Sequence, residues 1–324
     1  MSTNATPMKL TVIDRVEEPG NIARIRLAAA DGKALPAFEA GAHLDLHLIE
    51  DGLDLWRQYS LSSDPAERNF YEIGVLRDPK SRGGSEAVHR LATIGAVLDV
   101  EGPRNHFPLE ESARLSVLFG GGIGVTPMLA MAQRLHALGR DFVLHYATRS
   151  ENVTAFRALI REQPWAQRVV FHFDDQPDAQ KINLKTDLPV PASDTHIYVC
   201  GPQGFMDWII TSAEAAGHAT SHVHREYFSA DVDKSGDSFE VVAKRSGVTV
   251  SVGPNDTISK VLAKAGIRVE VKCEEGVCGT CVTDVLEGEL DHRDKFLTEE
   301  EREEGTMICV CCSRAKSKTI ILDL

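Results

Sequence analysis

No stretch of the 324-residue chain approaches the roughly 18 consecutive apolar residues that a membrane-spanning helix needs, so no membrane association is expected. The opening residues Met-Ser-Thr-Asn-Ala-Thr-Pro-Met lack the basic start and apolar run of a secretory leader, and a cytoplasmic location is expected. Positive charge is in deficit as well. Lys and Arg number 35 against 48 Asp and Glu, a net charge of −13, which argues against nucleic acid as a partner. The same charge suits a basic protein partner, or serves solubility alone. An even cysteine count is also missing: seven Cys without a leader do not read as a disulfide framework. Internal repeats are absent. The length and a 43% hydrophobic content suggest two or three domains with filled cores.

What is present is a cysteine motif. Cys273, Cys278 and Cys281 stand in Cys-Glu-Glu-Gly-Val-Cys-Gly-Thr-Cys, and the C-x4-C-x2-C spacing with a later Cys is the plant-type ferredoxin pattern for a [2Fe–2S] cluster. Gly276 and Gly279 interleave the ligands where backbone must pass close to sulfur. A structural zinc site pairs two Cys-x2-Cys knuckles, and only one is present. The fourth ligand lies in Met-Ile-Cys-Val-Cys-Cys-Ser-Arg. Read as a strand, that run sets Cys309 and Cys311 on one face and Cys312 on the other, which leaves two candidates. A cluster of this kind moves single electrons, so the rest of the chain should supply or remove them.

Three compositional blocks precede and include that motif. Residues 1–109 alternate apolar and polar in short runs (Leu10–Val16, Ile22–Leu27, His43–Leu48, Phe70–Leu76, Val97–Val100), the rhythm of a small antiparallel β-barrel. Residues 110–228 repeat strand then helix, as a parallel α/β sheet does. The polar stretch 229–238 reads as a linker, and 239–324 holds a hairpin, a helix and the cysteine loop. In the middle block, Phe119-Gly-Gly-Gly-Ile-Gly-Val-Thr-Pro127 follows a strand and opens a helix, with Thr126 expected as its cap and Pro127 at its first position. Bare amides at a helix start attract phosphate, although the run departs from G-x-G-x-x-G. Cys200-Gly-Pro202 ends another strand at its carboxyl edge, where ligands of parallel sheets bind. In the first block Trp56-Arg-Gln-Tyr-Ser60 is expected to begin a short strand. Arg57, Arg82 and the Gly83-Gly84-Ser85 turn before a helix near Glu86 offer donors for a phosphate, and Tyr59 an aromatic face.

Arg57-x-Tyr59-Ser60, Gly-Gly-Ile-Gly-Val-Thr-Pro and Cys200-Gly-Pro202 occur in this order in the ferredoxin–NADP reductase superfamily. With a C-terminal plant-type ferredoxin domain, the chain resembles the phthalate dioxygenase reductase family. The resemblance extends to Phe38-Glu-Ala-Gly41, Ser81–Ser85, Asp291-His-Arg-Asp294 and the ending Leu322-Asp-Leu324. It implies a multi-domain α+β and α/β architecture: a flavin barrel, a parallel nucleotide-binding sheet and a β-grasp ferredoxin domain. It implies FMN, NADH and one [2Fe–2S] cluster, with electrons leaving for a Rieske-type oxygenase that acts on an aromatic acid or similar small substrate. A monomer is expected.

Residue by residue, the resemblance gives FMN to Arg57, Gln58 (a threonine is frequent there), Tyr59, Ser60, Gly74, Val75, Arg82, Gly83, Gly84 and Ser85. Gly121, Gly122, Gly124 and Thr126 would face NADH. Cys200 would sit near the nicotinamide and Phe228 beside the flavin. The family's fourth cysteine precedes x-Ser-Arg-Ala, which selects Cys311, with Cys312 where valine is common. Two alternatives stand: a cytochrome P450 as electron acceptor, and a general NADH-dependent carrier. Arg149 could meet a 2′-phosphate, whereas Asp174-Asp175 would repel one, and the expectation is NADH. The segment from Asp284 to Glu304 carries ten Asp or Glu against three Lys or Arg, as a docking face or a solvated one.

Overall fold

The structure is a computed structural model and describes residues 7–50, 52–79 and 83–324. The chain divides into two compact units, Met1–Glu226 and Tyr227–Leu324.

The first unit starts with six antiparallel strands: β1 (Pro7–Glu18), β2 (Ile22–Ala29), β3 (Ala42–Glu50), β4 (Leu53–Ser60), β5 (Tyr71–Leu76) and β6 (Val97–Asn105), with helix α1 (Gly84–Leu91) before the last. Their order is β4-β3-β6-β1-β2-β5, and a bridge from Leu61 to Ile73 links the end of β4 to β5 and rolls the sheet toward a barrel. The alternation expected of these strands is realised, as Leu10, Val12, Ile25, Leu27, Leu44 and Leu46 all point inward. β4 differs from expectation: Trp56–Ser60 closes the strand, which begins at Leu53.

Five parallel strands follow: β7 (Leu115–Gly121), β8 (Asp141–Thr148), β9 (Val169–Phe173), β10 (Thr195–Cys200) and β11 (Val223–Glu226). They stand in the order β11-β10-β7-β8-β9, with α2 (Val125–Ala137), α3 (Arg157–Arg161), α4 (Leu184–Asp187) and α5 (Gln203–Ala215) in the crossovers. Helix α2 buries Met128, Leu129, Met131, Ala132 and Leu135. One continuous core runs from Leu10 in the barrel to Cys200 in the sheet.

The second unit holds β12 (Phe239–Ala243), β13 (Val248–Val252), α6 (Ile258–Lys264), β14 (Val282–Glu287), β15 (Leu290–Asp291), α7 (Glu299–Glu304), β16 (Met307–Cys309), β17 (Arg314–Ala315) and β18 (Thr319–Leu322). Its main sheet, β13-β12-β18-β14-β16, pairs β12 with β18 in parallel and the other neighbours antiparallel. That mixed sheet with α6 has the β-grasp arrangement. The stretch 229–238, expected as a linker, is fastened to this unit. Arg314 donates to the carbonyls of Lys234 at 2.8 Å and Asp237 at 2.9 Å, and Arg293 donates to Asp233 and Ser235. Among the described residues, no helix is long and apolar enough to cross a membrane.

Candidate functional site

In the second unit the loop between α6 and β14 carries Cys273, Cys278 and Cys281. Its sharp path needs left-handed backbone at Glu274, Gly276 and Gly279. A Cβ on Gly276 would stand 2.5 Å from Cys312 Sγ, and one on Gly279 would overlap the Phe296 ring. These glycines are therefore required by close packing as well as by dihedral. The far cysteines do not lie on one continuous strand. β16 stops at Cys309, and a turn follows in which the amides of Cys312 (3.2 Å) and Ser313 (3.0 Å) donate to the Cys309 carbonyl. Strand alternation therefore does not describe Cys311 and Cys312. The turn brings the Cys311 thiol within hydrogen-bonding reach of Cys273, Cys281 and Cys312, whereas Cys309 reaches Cys281. Cys278 meets Cys273.

Backbone amides aim at these sulfurs: Glu275 N–H donates to Cys273 Sγ at 3.4 Å, and the Thr280 and Cys311 amides serve Cys278 and Cys281. Hydrogen bonding to Cys273, then burial, pushes the Cys278 thiol above its ordinary range, and Cys309 does the same to Cys281. So many buried thiols ionise together only around a cation, and inward N–H groups are what thiolate–iron sulfurs accept. The donor set fits two irons.

In the first unit, the end of β4 faces the start of α1. Gly83 at the N-cap is left-handed, with φ 90°. The Arg57 side chain lies across Gly84 so closely that any Cβ there would overlap its Nε. A guanidinium over a helix N-terminus is a cradle for an anionic phosphate. Ser85 Oγ accepts from the Asp78 amide at 3.2 Å, and Tyr59 is half-buried against the core. Arg82 lies outside the described residues. Gln58 turns away, its amide donating to Asp45 Oδ1 at 2.9 Å beside His43. Val75 is buried, and its carbonyl meets the His89 ring at 2.9 Å. Gly74 admits the glycine-rich turn: a Cβ would sit 2.7 Å from Phe156 Cζ and 2.8 Å from Thr126 Cγ2.

That turn also differs from expectation. Gly122–Gly124 form a single 3-10 turn, and α2 begins at Val125. Thr126 is therefore inside the helix, where its hydroxyl donates back to the Ile123 carbonyl at 3.0 Å, and it caps nothing. A Cβ on Gly124 would overlap the Cys200 carbonyl, and Gly121 and Gly201 bring their backbones together. Gly122, at φ +55°, faces open space. The turn thus packs glycine to backbone at the carboxyl edge of β7 and β10.

At the same edge, Ser60 Oγ donates to Glu226 Oε2 at 2.9 Å across 166 residues, and Glu226 pairs in register with Cys200. Burial, then the Glu226 charge, pushes the Cys200 thiol well up, so it stays a neutral thiol. Burial also raises the Glu226 carboxyl to about 7, against the opposing effect of Ser60. Sequence reasoning missed Glu226, although it lies two residues before Phe228; its signal was a carboxylate at the end of the edge strand β11. Phe228 belongs to the second unit and is 39% exposed. Asp174 and Asp175 are held beside Thr148 and Arg149, donating to their carbonyls at 3.1 Å each.

A parallel sheet with a glycine turn at its carboxyl edge, a phosphate cradle and a separate thiol cluster define an NAD-dependent iron–sulfur oxidoreductase. Family models agree: "Oxidoreductase NAD-binding domain" matches residues 118–210, and "2Fe-2S iron-sulfur cluster binding domain" matches 241–316. The vanillate O-demethylase oxidoreductase of Pseudomonas sp. (strain HR199 / DSM 7063) is 48% identical over 94% of this chain and 96% of its own. The solved phthalate dioxygenase reductase, described as transferring electrons from pyridine nucleotides to [2Fe–2S], superposes with a TM-score of 0.73 at 38% identity, covering 98% of both chains. An intact type IV self-sufficient cytochrome P450 monooxygenase aligns with a TM-score of 0.86 at 35% identity, over 98% of this chain and 41% of that one. The chain belongs to the phthalate dioxygenase reductase family, whose members include the reductase components of oxygenase systems.

Proposed function

We propose that the chain is the NADH-dependent reductase of a Rieske-type oxygenase that acts on an aromatic acid. The observation that carries this reading is one chain holding both the Ser60–Glu226–Cys200 edge and the thiol cluster, an entry for hydride and an exit for single electrons. The names of the relatives, which specify vanillate and phthalate, support an aromatic acid at the partner.

In this reading 1–109 is the flavin barrel, 110–228 the nucleotide domain and 239–324 the ferredoxin domain, with 229–238 between them. FMN is held by Arg57, Tyr59, Ser60, Arg82 and Gly83–Ser85. A bound flavin supplies the conversion between a two-electron hydride and one-electron steps. Arg57 and the α1 N-terminus hold the phosphate, and Tyr59 gives a flat face. Gly122 leaves open space for the nucleotide, while Ser60 and Glu226 orient polar groups beside the neutral Cys200. Asp174 and Asp175 select NADH by repelling a 2′-phosphate. Cys273, Cys278, Cys281 and Cys311 ligate the irons. The seven free thiols suit a cytoplasmic location, and we take the chain as a monomer.

Anaerobic titration with NADH should bleach flavin and cluster bands in turn, and a purified Rieske oxygenase should then turn over. Turnover with a P450 and not with a Rieske protein would establish the second reading, which the P450 alignment favours. Steady-state rates that prefer NADPH would refute the nucleotide assignment.

A further inference from the structure

Beside the parallel sheet lie two buried histidines and a partly exposed aspartate that the redox reading leaves unused. We propose that His145 on β8, His172 on β9 and Asp187 at the end of α4 form a binding site for one divalent transition ion of the zinc type. One ligand atom from each lies within 4.8 Å of the others. Two imidazoles and a carboxylate are a donor set for zinc, with water in the fourth position.

Packing and hydrogen bonds from neighbouring groups fix the orientation of these three side chains, as metal ligands require. Phe119 stacks on the His145 ring with centroids 4.9 Å apart. The backbone at Gln180 and Lys181 hydrogen-bonds the His172 ring, whose Nε2 faces His145 Nδ1 at 2.9 Å. Asp187 accepts from the Asn183 amide at 2.7 Å and the Thr186 hydroxyl at 3.3 Å. Both histidines are buried, 4% and 6% exposed, and burial pushes each below its ordinary value, so their lone pairs are available at neutral pH.

Without an ion, one N–H bridges the two rings. Binding moves that proton from His145 Nδ1 to its Nε2, and no net proton is released. Zinc–nitrogen bonds of about 2.0–2.1 Å place tetrahedral ligand atoms about 3.3 Å apart, so the rings separate by about 0.4 Å. The ion would tie the segment before α4 to β8, close to the Asp174-Asp175 end of β9.

The experiment is calorimetric titration of the flavin- and cluster-loaded full chain with zinc chloride, with visible absorbance followed in parallel. The wild type should take up one equivalent without bleaching the cluster. Affinity should fall at least tenfold in Asp187→Asn and in His172→Gln, with NADH–ferricyanide activity unchanged in zinc-free buffer. Equal affinity in wild type and variants overturns the proposal, as does zinc uptake that occurs only with loss of cluster absorbance. If His172→Gln fails to fold, the partly exposed Asp187→Asn decides the matter alone.

Discussion

The two redox regions are assembled in opposite ways. The thiol cluster draws on residues 273–312, and its geometry is written into two short turns and two left-handed glycines. The edge proposed for the nucleotide joins Ser60, Cys200 and Glu226 from a barrel strand and two sheet strands, with 166 residues between the hydrogen-bonded pair. A short-range site survives as a motif because its spacing is its geometry. A long-range site exists once the sheets have packed, and single residues from it look ordinary in the sequence.

The largest effects should fall on the short-range site. Serine at Cys273, Cys278, Cys281 or Cys311 should abolish the cluster's visible and EPR signals, while Cys309→Ser keeps them. Loss of signal in Cys309→Ser with retention in Cys311→Ser would reverse the ligand assignment. At the nucleotide edge, Gly124→Ala drives a methyl group into the Cys200 carbonyl and should cost about 1–3 kcal/mol in denaturant melts. Gly204→Ala, inside α5 with ordinary helical backbone and open space around it, should cost nothing, and equal costs would mean that the turn is not packed this way.

Acid should separate the regions further. Burial pushes His145 and His224 down to about 4, below the unfolded value near 6.5, so the fold favours their neutral forms. Stability therefore falls as pH drops from 6.5 toward 4, by at most about 1.4 kcal/mol per pH unit for each group. A melting temperature unchanged between pH 7 and 5 would contradict this.

Glu226 works in the other direction. Its folded value, about 7, lies above the ordinary carboxylate value. Its contribution to stability is full below pH 4.5 and is lost as pH rises through 7. The rate of NADH oxidation should show an inflection near pH 7 that disappears in Glu226→Gln. An identical profile in that variant would remove Glu226 from the site. The smallest effect is expected at Lys234, whose ammonium donates to the Glu274 carbonyl at 2.6 Å and ties the 229–238 stretch to the cluster loop. Lys234→Met should cost about 0.5–1.5 kcal/mol and leave the cluster spectrum in place.

Much of the fold was legible: the period-2 runs of the barrel, the strand–helix rhythm of the middle block, and the hairpin and helix of the last block all appear where the residues implied. The errors came where turn chemistry outweighs periodicity. Cys309–Ser313 looks like strand until the Cys309 carbonyl accepts two amides and closes a turn. Thr126 looks like a cap until a 3-10 turn moves the helix start ahead of it. Arg57 stands out in the sequence as a candidate phosphate donor, and its position over Gly84 depends on β4 meeting α1.

The sequence by itself determined the redox class, the three-cysteine loop and the glycine turn, because spacing over a few residues restricts backbone geometry directly. Tertiary structure alone decided that Glu226 meets Ser60 and shifts toward neutrality. It also set the Cys311 thiol against Cys273 and Cys281, and paired His145 with His172 across neighbouring strands. Burial and hydrogen bonding set these properties, and both arise from residues far apart in the chain that only packing brings together.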